Sequence, residues 1–538
     1  MNSHTHVSPS ADPWSLWRWA LVALPPALLS CNALLTVDAD PVLVTDAGPP
    51  LDSSPSGETP DSEPCTDPTG FGGRGCYKCP PTNHDQLLNA CVTYQMRYFD
   101  NSKRIPGFDP AVPRPPLASA DAGTDATTDV GVDASGPSDA SADAAPDSTP
   151  DSGPPGPPEC PAMSTLSNPV ILVSSTGLPL QLTLNALLVR ATVLWKEVGS
   201  CDGLNSVSPG GPKATGTVHL YQTGLPAFDC TLPGTYPADL GGGGLYWDTC
   251  NPSIIQPSDF IDLPGPVNPV SFIVPFSSTQ ESISAEAAYR VYGFGKAAGV
   301  DPWVDESVLF RRNPTSANQT LVALSLGLPS NRLLGNDSNG GSKMIAAVSG
   351  ASQAENALGF SSSEQTDRSR STVRVLAVQF YGQRAAFFQD SDPGAYDRRP
   401  VRDGHYYFWI PMHVFARAGS TGDIVGGNPS LDALRDPAIV KDLAGYLTLR
   451  KPLPKTVDIF ASLKDPGGGS AAIPQCAMHV TRRRDGGPLE PFTPPRSCDC
   501  AFEAAPPGRL PAECKACKTD GDCSGSRPVC SFGYCEAT

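Results

Sequence analysis

The chain has 538 residues, a formal net charge of −17, 59 prolines and 51 glycines. Its length indicates several domains. The acidic balance argues against a nucleic-acid-binding protein, because the phosphate backbone is bound by clustered lysines and arginines. The seventeen cysteines are typical of a protein that folds in an oxidising compartment.

The N-terminus has the pattern of an export signal. Arg18 precedes an apolar run, Trp19 to Leu29, that is of signal-peptide length and too short to span a bilayer. The run ends in Leu28-Leu29-Ser30-Cys31, which resembles the lipobox of bacterial lipoproteins. This resemblance implies cleavage before Cys31 and acylation of its thiol, which anchors the protein to a membrane of the cell envelope. Asn32 favours the outer membrane over the inner one; an ordinary cleaved signal or a buried apolar helix is the alternative.

The composition then predicts folded segments separated by linkers. Residues 32–64 are rich in Asp, Pro, Ser and Thr with no Lys or Arg, and after residue 111 an aspartate recurs at every fourth position from Asp121 to Asp133. Such stretches bury too little apolar surface to fold. We therefore expect a signal peptide (1–30), a disordered tether (31–64), a small Cys-rich module (65–108), a disordered acidic linker (109–159), a large domain (160–480) and a Cys-rich C-terminal module (481–538).

Without Cys31, sixteen cysteines remain, and they fall into even groups. The groups are Cys65, Cys76, Cys79 and Cys91; Cys160, Cys201, Cys230 and Cys250; and Cys476, Cys498, Cys500, Cys514, Cys517, Cys523, Cys530 and Cys535. The pairs Cys76-x-x-Cys79 and Cys514-x-x-Cys517 could also bind zinc or act in redox chemistry. Export favours structural disulfides instead, within the two small modules and the large domain, and we expect no metal. Spacing leaves the connectivity open.

The large domain alternates apolar runs with helical patterns, which predicts an α/β fold. Strands are predicted at Pro169–Val173, Thr192–Trp195, Val267–Phe276, Thr372–Phe380 and Lys455–Ser462; helices are predicted after Ser284, over Gln319–Leu326 and after Asp436-Pro437. More than three hundred residues exceed what one core holds, so two lobes are expected.

Three loops of this domain place hydroxyl groups and small residues at predicted helix N-termini. They are residues 173–177, 198–203 and 310–318. A helix N-terminus offers free N–H groups and a positive dipole end, which suit an anion, and Arg312 adds a charged donor. Each loop taken alone is also explained by turns and helix caps.

In this order, the loops resemble those of type 2 periplasmic substrate-binding proteins, and among them the phosphate-binding proteins. The first family loop is matched by Ser175, Thr176 and Gly177, the second by Gly199, Ser200 and Gly203, and the third by Arg312 and Ser316, with Ala317 and Asn318 in place of a Gly-Thr pair. The stretches beginning at Gly265 and Gly404 resemble the two hinge strands of the family. A ligand-binding acid of the family would fall near Asp239–Gly244, where this chain has a glycine run.

The resemblance implies a lipid-anchored solute-binding protein that holds a small oxyanion between two lobes. Its predicted ligand-binding residues are Ser175, Thr176, Ser200, Arg312, Ser316 and Asn318. The alternative is an envelope scaffold that has this fold without a ligand and contacts other envelope proteins; a pocket closed by Ala317 and Asn318 would favour it. We expect no cofactor, no nucleic acid and no enzymatic activity. Asp403, His405 and His413 are close in sequence, but we interpret them as hydrogen-bonded structural residues.

Overall fold

The computed structural model describes residues 76–117, 156–175, 191–222, 225–450, 459–464, 471–505 and 508–537. The chain divides into residues 1–66 and residues 67–538, and the described residues belong to the second unit. The predicted signal peptide, Cys31, the tether and Thr176 therefore lie outside the described residues, as does most of the predicted acidic linker.

The strands, in chain order, are Met96–Arg97 (β1), Pro169–Ser174 (β2), Thr192–Glu197 (β3), Thr217–Tyr221 (β4), Phe228–Thr231 (β5), Leu240–Gly243 (β6), Phe260–Pro275 (β7), Ser282–Ser284 (β8), Phe310–Arg311 (β9), Asn336–Asp337 (β10), Gly359–Ser362 (β11), Val373–Val375 (β12), Ala377–Gln379 (β13), Ala386–Phe387 (β14), Trp409–Ala418 (β15), Ile424–Val425 (β16), Val480–Thr481 (β17), Glu490–Pro491 (β18), Val529–Ser531 (β19) and Tyr534–Glu536 (β20).

The helices are His84–Asn89 (α1), Asn101–Arg104 (α2), Ser200–Asn205 (α3), Trp247–Cys250 (α4), Ala285–Phe294 (α5), Ala317–Leu326 (α6), Gly341–Ser349 (α7), Ser363–Arg368 (α8), Arg399–Arg402 (α9), Pro429–Asp432 (α10), Ile439–Leu447 (α11), Ile459–Lys464 (α12) and Asp499–Ala504 (α13). Short 3₁₀ turns lie at Met163–Thr165, Gly295–Ala298, Glu306–Val308, Ser330–Arg332, Gln475–Ala477 and Asp520–Asp522. Within the described ranges, no helix is both long and apolar enough to cross a membrane.

A ten-stranded mixed sheet runs through the large domain. Its main order is β11-β7-β15-β6-β2-β3-β4-β5, with β12 also pairing with β7 and β16 with β15. A second sheet has the order β1-β14-β13-β8. The predicted α/β class is therefore confirmed by the strands and the helices that cover them.

The first lobe is built around β2, which lies parallel to β3 on one side and to β6 on the other. All six residues of β2 are buried. Val170 and Leu172 face a core that includes α11, while Ile171 and Val173 face a core that includes α3. A strand that is covered on both faces has a continuous run of apolar residues, and the sequence of β2 shows this pattern.

Two long antiparallel strands, β7 and β15, connect the lobes. The first part of β7 pairs with β15, which also pairs with β6 of the first lobe. The last residues of β7 pair with β11 and β12, which belong to the second lobe. At about 3.3 Å per residue, the 16 residues of β7 span roughly 50 Å. The stretches predicted as hinges thus lie at or beside strands that pass from lobe to lobe.

The core of the second lobe includes residues from both ends of the described chain. Phe272 of β7 and Tyr292 of α5 are fully buried in it. Residues from outside the large domain join the same core: Leu87, Leu88, Phe99 and Ile105 from the N-terminal side, and Leu489, Cys498, Ala501 and Phe502 from the C-terminal side. This differs from the prediction of separately folded small modules, because both segments supply apolar side chains that the second lobe buries.

The start of the predicted acidic linker is also packed. Leu117 lies against the second-lobe core, and Arg114 donates a hydrogen bond of 2.7 Å to the carbonyl oxygen of Leu326. The Arg114 guanidinium also lies 4.2 Å from the ring centre of Tyr381. Residues 109–117 therefore belong to the folded body and not to a linker.

Two predicted strands differ from the structure. The segment predicted as one strand over Thr372–Phe380 forms β12 and β13, which belong to different sheets, because the chain changes sheet at Leu376. The predicted strand over Lys455–Ser462 is wrong at its described end, where residues from Ile459 onward form helix α12.

The disulfide bonds connect cysteines within the groups predicted from the sequence. The bonds are Cys76–Cys91, Cys160–Cys230, Cys201–Cys250, Cys476–Cys498, Cys500–Cys514, Cys517–Cys530 and Cys523–Cys535, and Cys79 is disulfide-bonded as well. Cys517, Cys523 and Cys535 lie close enough to share a metal ion. Each of their sulfurs is already in a disulfide bond, however, Cys517 with Cys530 and Cys523 with Cys535.

A buried ionic network holds the C-terminal segment to the second lobe. Arg402 of α9 pairs with Asp499 at 2.9 Å and with Glu503 at 2.6 Å, both from α13. His479 lies between Asp403 and Asp499, with contacts of 2.6 and 3.0 Å. Arg402 is fully buried, and its two ion-pair partners, Asp499 and Glu503, both come from the C-terminal segment.

Candidate functional site

The carboxyl end of β6 is a glycine run that lets helix α3 lie directly on the sheet. A side-chain carbon added at Gly203 would lie 2.1 Å from the carbonyl oxygen of Gly242, and one added at Gly243 would lie 2.6 Å from that of Ser200. Neither distance can be accommodated, so both positions require glycine. The glycine run where the family resemblance places a ligand-binding acid therefore serves close packing of helix on sheet.

Asp239 precedes this run, and its carboxylate is bonded to groups inside the first lobe. Its carboxylate accepts backbone N–H groups of Ile171 and Asn428 at 2.9 and 3.1 Å and pairs with Arg435 at 2.7 Å. Burial raises the pKa of Asp239, while Arg435 lowers it. Both side chains are buried, so Asp239 is a structural ion-pair partner within the lobe.

Two of the three predicted loops meet at Gly244, at the junction of the lobes. Ser200, the first residue of α3, is buried, and its hydroxyl oxygen accepts the N–H of Gly244 at 3.2 Å. A side-chain carbon added at Gly244 would lie 3.4 Å from the Cβ of Ala317, the first residue of α6, and 2.5 Å from Cγ2 of Ile410. The beginnings of α3 and α6, which come from different lobes, therefore lie on either side of Gly244.

The third loop leads into α6 without a side-chain cap. Ser316 is the N-cap residue, but its hydroxyl does not bond to the helix, and Asn318 is the second residue of the helix. Both are partly buried. The Ala317 methyl packs where the family has glycine, so the α6 end of the junction is narrower than the family pattern implies.

Arg312 is partly buried in the loop before α6. Burial lowers the pKa of its guanidinium and the charge of Asp337 raises it, and among the described residues Nε has no hydrogen-bond partner. The neighbouring Arg311 is held differently, because its Nε donates to the carbonyl oxygen of Gly335 at 3.0 Å. Arg312 thus has a free donor, as a ligand-binding role requires, whereas Arg311 is engaged in the loop.

The first predicted loop is described only at its start. Ser175 follows β2, and its backbone N–H donates to the carbonyl oxygen of Gly242 at 3.2 Å. Ser175 therefore lies beside the glycine run of the neighbouring strand β6. Because Thr176 lies outside the described residues, the role of this loop stays a prediction.

A segment of the predicted C-terminal module, which has no predicted site residues, crosses the same junction. We call residues 482–487 the strap. On the first-lobe side, the hydroxyl of Tyr246 donates to the Arg482 carbonyl oxygen at 2.6 Å, and the Asp485 carboxylate accepts the Tyr246 N–H at 2.9 Å and the Thr249 hydroxyl at 2.7 Å. Three hydrogen bonds therefore hold the strap to α4 and the residues just before it.

The other side of the strap contacts the second lobe and the connecting strands. The hydroxyl of Tyr407 donates to the carbonyl oxygens of Gly486 and Gly487 at 2.6 and 2.8 Å. Gly486 has φ +63° and approaches the backbone of Leu324 in α6 so closely that an added side-chain carbon would lie 3.0 Å from it. The strap thus ties the two lobes together. The Asp485-Gly486-Gly487 sequence signals a turn, but nothing local signals where that turn docks.

The histidines that are close in sequence separate in the structure. Asp403 contacts His479, whereas the Nδ1 of His405 faces the Leu88 carbonyl oxygen at 3.2 Å and that of His413 lies 2.7 Å from Asp262. Each imidazole therefore has its own structural partner, which agrees with the structural role expected for these residues.

No protein-family model and no curated protein matches the chain. Among solved structures, a putative phosphate ABC transporter substrate-binding protein from Clostridium perfringens, with bound phosphate, is similar at 12% identity over 51% of this chain and 98% of that chain, with a TM-score of 0.31. An ABC-type phosphate transport receptor from Vibrio cholerae is similar at 14% identity over 52% and 93%, with a TM-score of 0.32. The reduced OxyR regulatory domain from Pseudomonas aeruginosa is similar at 10% identity over 54% and 100%, with a TM-score of 0.28.

The chain is thus similar over about half of its length to phosphate-binding proteins and to a regulatory domain of known structure.

Proposed function

We propose that this chain binds a small oxyanion at the junction of its two lobes. The observation that carries the proposal is the meeting of α3 and α6 at Gly244. The first residues of a helix have N–H groups without backbone acceptors, and the positive end of the dipole attracts an anion. An anion between the two helices is contacted from both lobes at once.

The partly buried Arg312 precedes α6 and has a donor nitrogen with no partner in the described residues. A charged hydrogen bond contributes about 1.5–3 kcal/mol, against about 1 kcal/mol for a neutral one. Arg312 therefore contributes affinity from the second lobe, and Ser316 adds a hydroxyl donor that no helix cap consumes.

The test is calorimetric titration of inorganic phosphate, sulfate and acetate into the full chain. We expect one of them to bind with one-to-one stoichiometry. Replacing Arg312 by alanine should weaken binding by roughly tenfold or more. Arg311→Ala is the matched control, because it removes the adjacent charge whose guanidinium is already bonded within the loop. Absence of binding to the unaltered chain would refute the proposal.

The strap favours a second candidate function, that of an envelope scaffold. Because it is bonded to Tyr246 on one side and to Tyr407 on the other, the strap opposes the opening motion by which two-lobed receptors exchange ligands. In this case the junction is a fixed structural joint, and the chain acts through protein contacts on its surface. A chain whose melting temperature does not respond to any of the three anions supports this candidate.

Both candidates place the protein outside the cytoplasm. The export pattern ending at Cys31 and the disulfide bonds within every described cysteine group support this location. We propose that Cys31 carries the lipid anchor, in the outer membrane, and that other envelope proteins are the partners of the surface.

A further inference from the structure

A cleft of about 340 Å³ opens where the two sheets meet in the second lobe. Val373 of β12 and Phe276, which follows β7, line it from the ten-stranded sheet, and Phe388, which follows β14, lines it from the four-stranded sheet. Sites for small molecules have volumes of roughly 300–1,000 Å³, so the cleft is large enough for a small ligand. Its lining residues differ from those at the lobe junction, and a ligand here would therefore occupy a separate site.

The walls of the cleft belong to two apolar clusters that do not merge. Val373 packs in one cluster with Val348, whereas Phe388 packs in another with Ala386. Because protein interiors are close-packed, a space of this size between apolar walls indicates room for a bound molecule. Phe276 is 53% exposed, so its ring is free to contact such a molecule, and two phenylalanine rings favour an aromatic partner.

The acidic side chains in the lining are already compensated. Glu281 pairs with Arg97 at 2.7 Å, and Asp390 pairs with Arg370 at 2.8 Å. Asp390 also pairs with Arg398 at 2.6 Å. Neither carboxylate therefore presents an uncompensated negative charge to a ligand in the cleft.

Arg374 of β12 is a third arginine in the lining, and its charge is left over. Its Nη2 donates to the carbonyl oxygen of Phe276 at 3.3 Å, and it forms no ion pair with a carboxylate of the described residues. Its guanidinium carbon lies 5.9 Å from the ring centre of Phe276. A planar guanidinium can bind a carboxylate through two N–H donors, so the cleft combines apolar walls with one site for a negative charge.

We propose that this cleft binds a small aromatic carboxylate, whose ring contacts Phe276 and Phe388 and whose carboxylate pairs with Arg374. The proposal goes beyond the oxyanion function and does not depend on it, because the cleft lies within the second lobe. Phosphate and sulfate have no apolar body to contact the walls, so they are not the ligands of this cleft.

The experiment is calorimetric titration of 3-phenylpropionate into the full chain, where we expect one-to-one binding. Two comparison ligands each remove one feature. The alcohol 3-phenylpropan-1-ol keeps the ring without the charge and should bind roughly tenfold more weakly or worse. The acid 3-cyclohexylpropionate keeps the size and the charge without the aromatic ring and should bind severalfold more weakly.

Three variants test the residues. Arg374→Gln should weaken the binding of 3-phenylpropionate by roughly tenfold or more. Arg332→Gln is the matched control, because it changes another partly buried arginine of the second lobe that does not line the cleft, and it should change the affinity by less than about twofold. Phe276→Ala should weaken binding severalfold while the chain stays folded, because the ring is half-exposed.

Each result decides one part of the proposal. If 3-phenylpropionate does not bind the unaltered chain, or binds it and Arg374→Gln equally well, the proposed site is refuted. The oxyanion function is unaffected by that outcome, since phosphate and Arg312→Ala test it. Equal affinity for 3-cyclohexylpropionate would refute the aromatic ligand. Where circular dichroism shows that Arg374→Gln has unfolded, Phe276→Ala decides, and unchanged affinity there overturns the site.

Discussion

At the scale of single residues, buried charges in this protein are compensated across segment boundaries. Arg402 is neutralised by Asp499 and Glu503, and His479 bridges Asp403 and Asp499. Such pairs contribute little net stability, but removing one partner leaves an uncompensated charge. Their effect is therefore to determine where the C-terminal segment docks.

His479 makes this docking sensitive to pH. Burial lowers its pKa, but hydrogen bonds to Asp403 and Asp499 outweigh this effect and raise the pKa to about 9, against 6.5 for an unperturbed histidine. A raised folded-state pKa means that the stabilisation is fully present below pH 6.5 and is lost as the pH rises towards 9. Since the imidazole is partly exposed, solvent screening keeps the effect small.

We predict that His479→Gln lowers the free energy of unfolding below pH 6.5 and that the difference from the unaltered chain shrinks between pH 6.5 and about 9. Urea denaturation at a series of pH values measures this. His219→Gln is the control, because it removes an imidazole paired with Asp229 on the surface of the first lobe. A difference that stays constant across the whole series would contradict the assignment.

At the scale of elements, local sequence patterns predicted individual strands well. They did not predict which sheet a strand joins or which surface a turn contacts. The sequence predicted β2 and β3 within a residue or two, because strands between helices are continuously apolar. It could not show that residues 372–380 change sheets, since both halves have the same apolar pattern. The strap was missed for a similar reason, because a polar turn carries no signal of the surface it docks on.

The lobe junction was predictable to the same extent. The loops at Ser200 and Ser316 follow from hydroxyl residues ahead of helical patterns, and the structure places both at the lobe junction. Arg482 lies almost three hundred residues from Ser200, and only the fold brings it near. Its sequence neighbours, Arg483 and Arg484, are both exposed, so nothing in the run distinguishes the buried arginine.

The N-terminal cap of helix α5 was predicted from the local sequence, and its contribution to stability can be measured. Ser284 was predicted to cap this helix, and its hydroxyl accepts the N–H of Ala287 at 2.9 Å. We expect Ser284→Ala to lower the free energy of unfolding by about 0.5–2 kcal/mol, because a helix N–H loses its acceptor. Chemical denaturation checks this, with Ser349→Ala on the exposed last turn of α7 as the control. Equal effects of both substitutions would show that the cap contributes nothing.

At the scale of the whole molecule, the flanking segments and the second lobe share one apolar core. Phe502 of α13 is fully buried in the core that also contains Trp303 and Phe272. The sequence could not show this, because composition marks where chain is polar or Cys-rich but not which core receives its apolar residues.

We predict that Phe502→Ala lowers the free energy of unfolding of the entire second lobe by about 3–5 kcal/mol. Tryptophan fluorescence and far-ultraviolet circular dichroism should show the same shifted transition, because they report on one cooperative unit. Phe532→Ala, at a site 47% exposed, is the control and should have little effect. A fluorescence midpoint unchanged by Phe502→Ala would mean that the C-terminal segment folds independently.

We also predict that the mature protein begins at an acylated Cys31, because the preceding residues match the lipobox pattern. Mass spectrometry of the N-terminal peptide should find a cysteine with added acyl mass, and Cys31→Ser should release the protein from membranes into the soluble fraction. An N-terminal peptide that still contains Met1 would refute this prediction.

The core of the second lobe needs apolar residues from the last part of the chain. Each disulfide bond described here links residues 12 to 70 positions apart, so each can form from a short stretch of chain. The second-lobe core differs, because Leu88 and Phe502 are over four hundred positions apart. A polypeptide truncated near its end therefore has its early crosslinks but an open apolar core. Proteases and chaperones recognise exposed apolar surface of this kind.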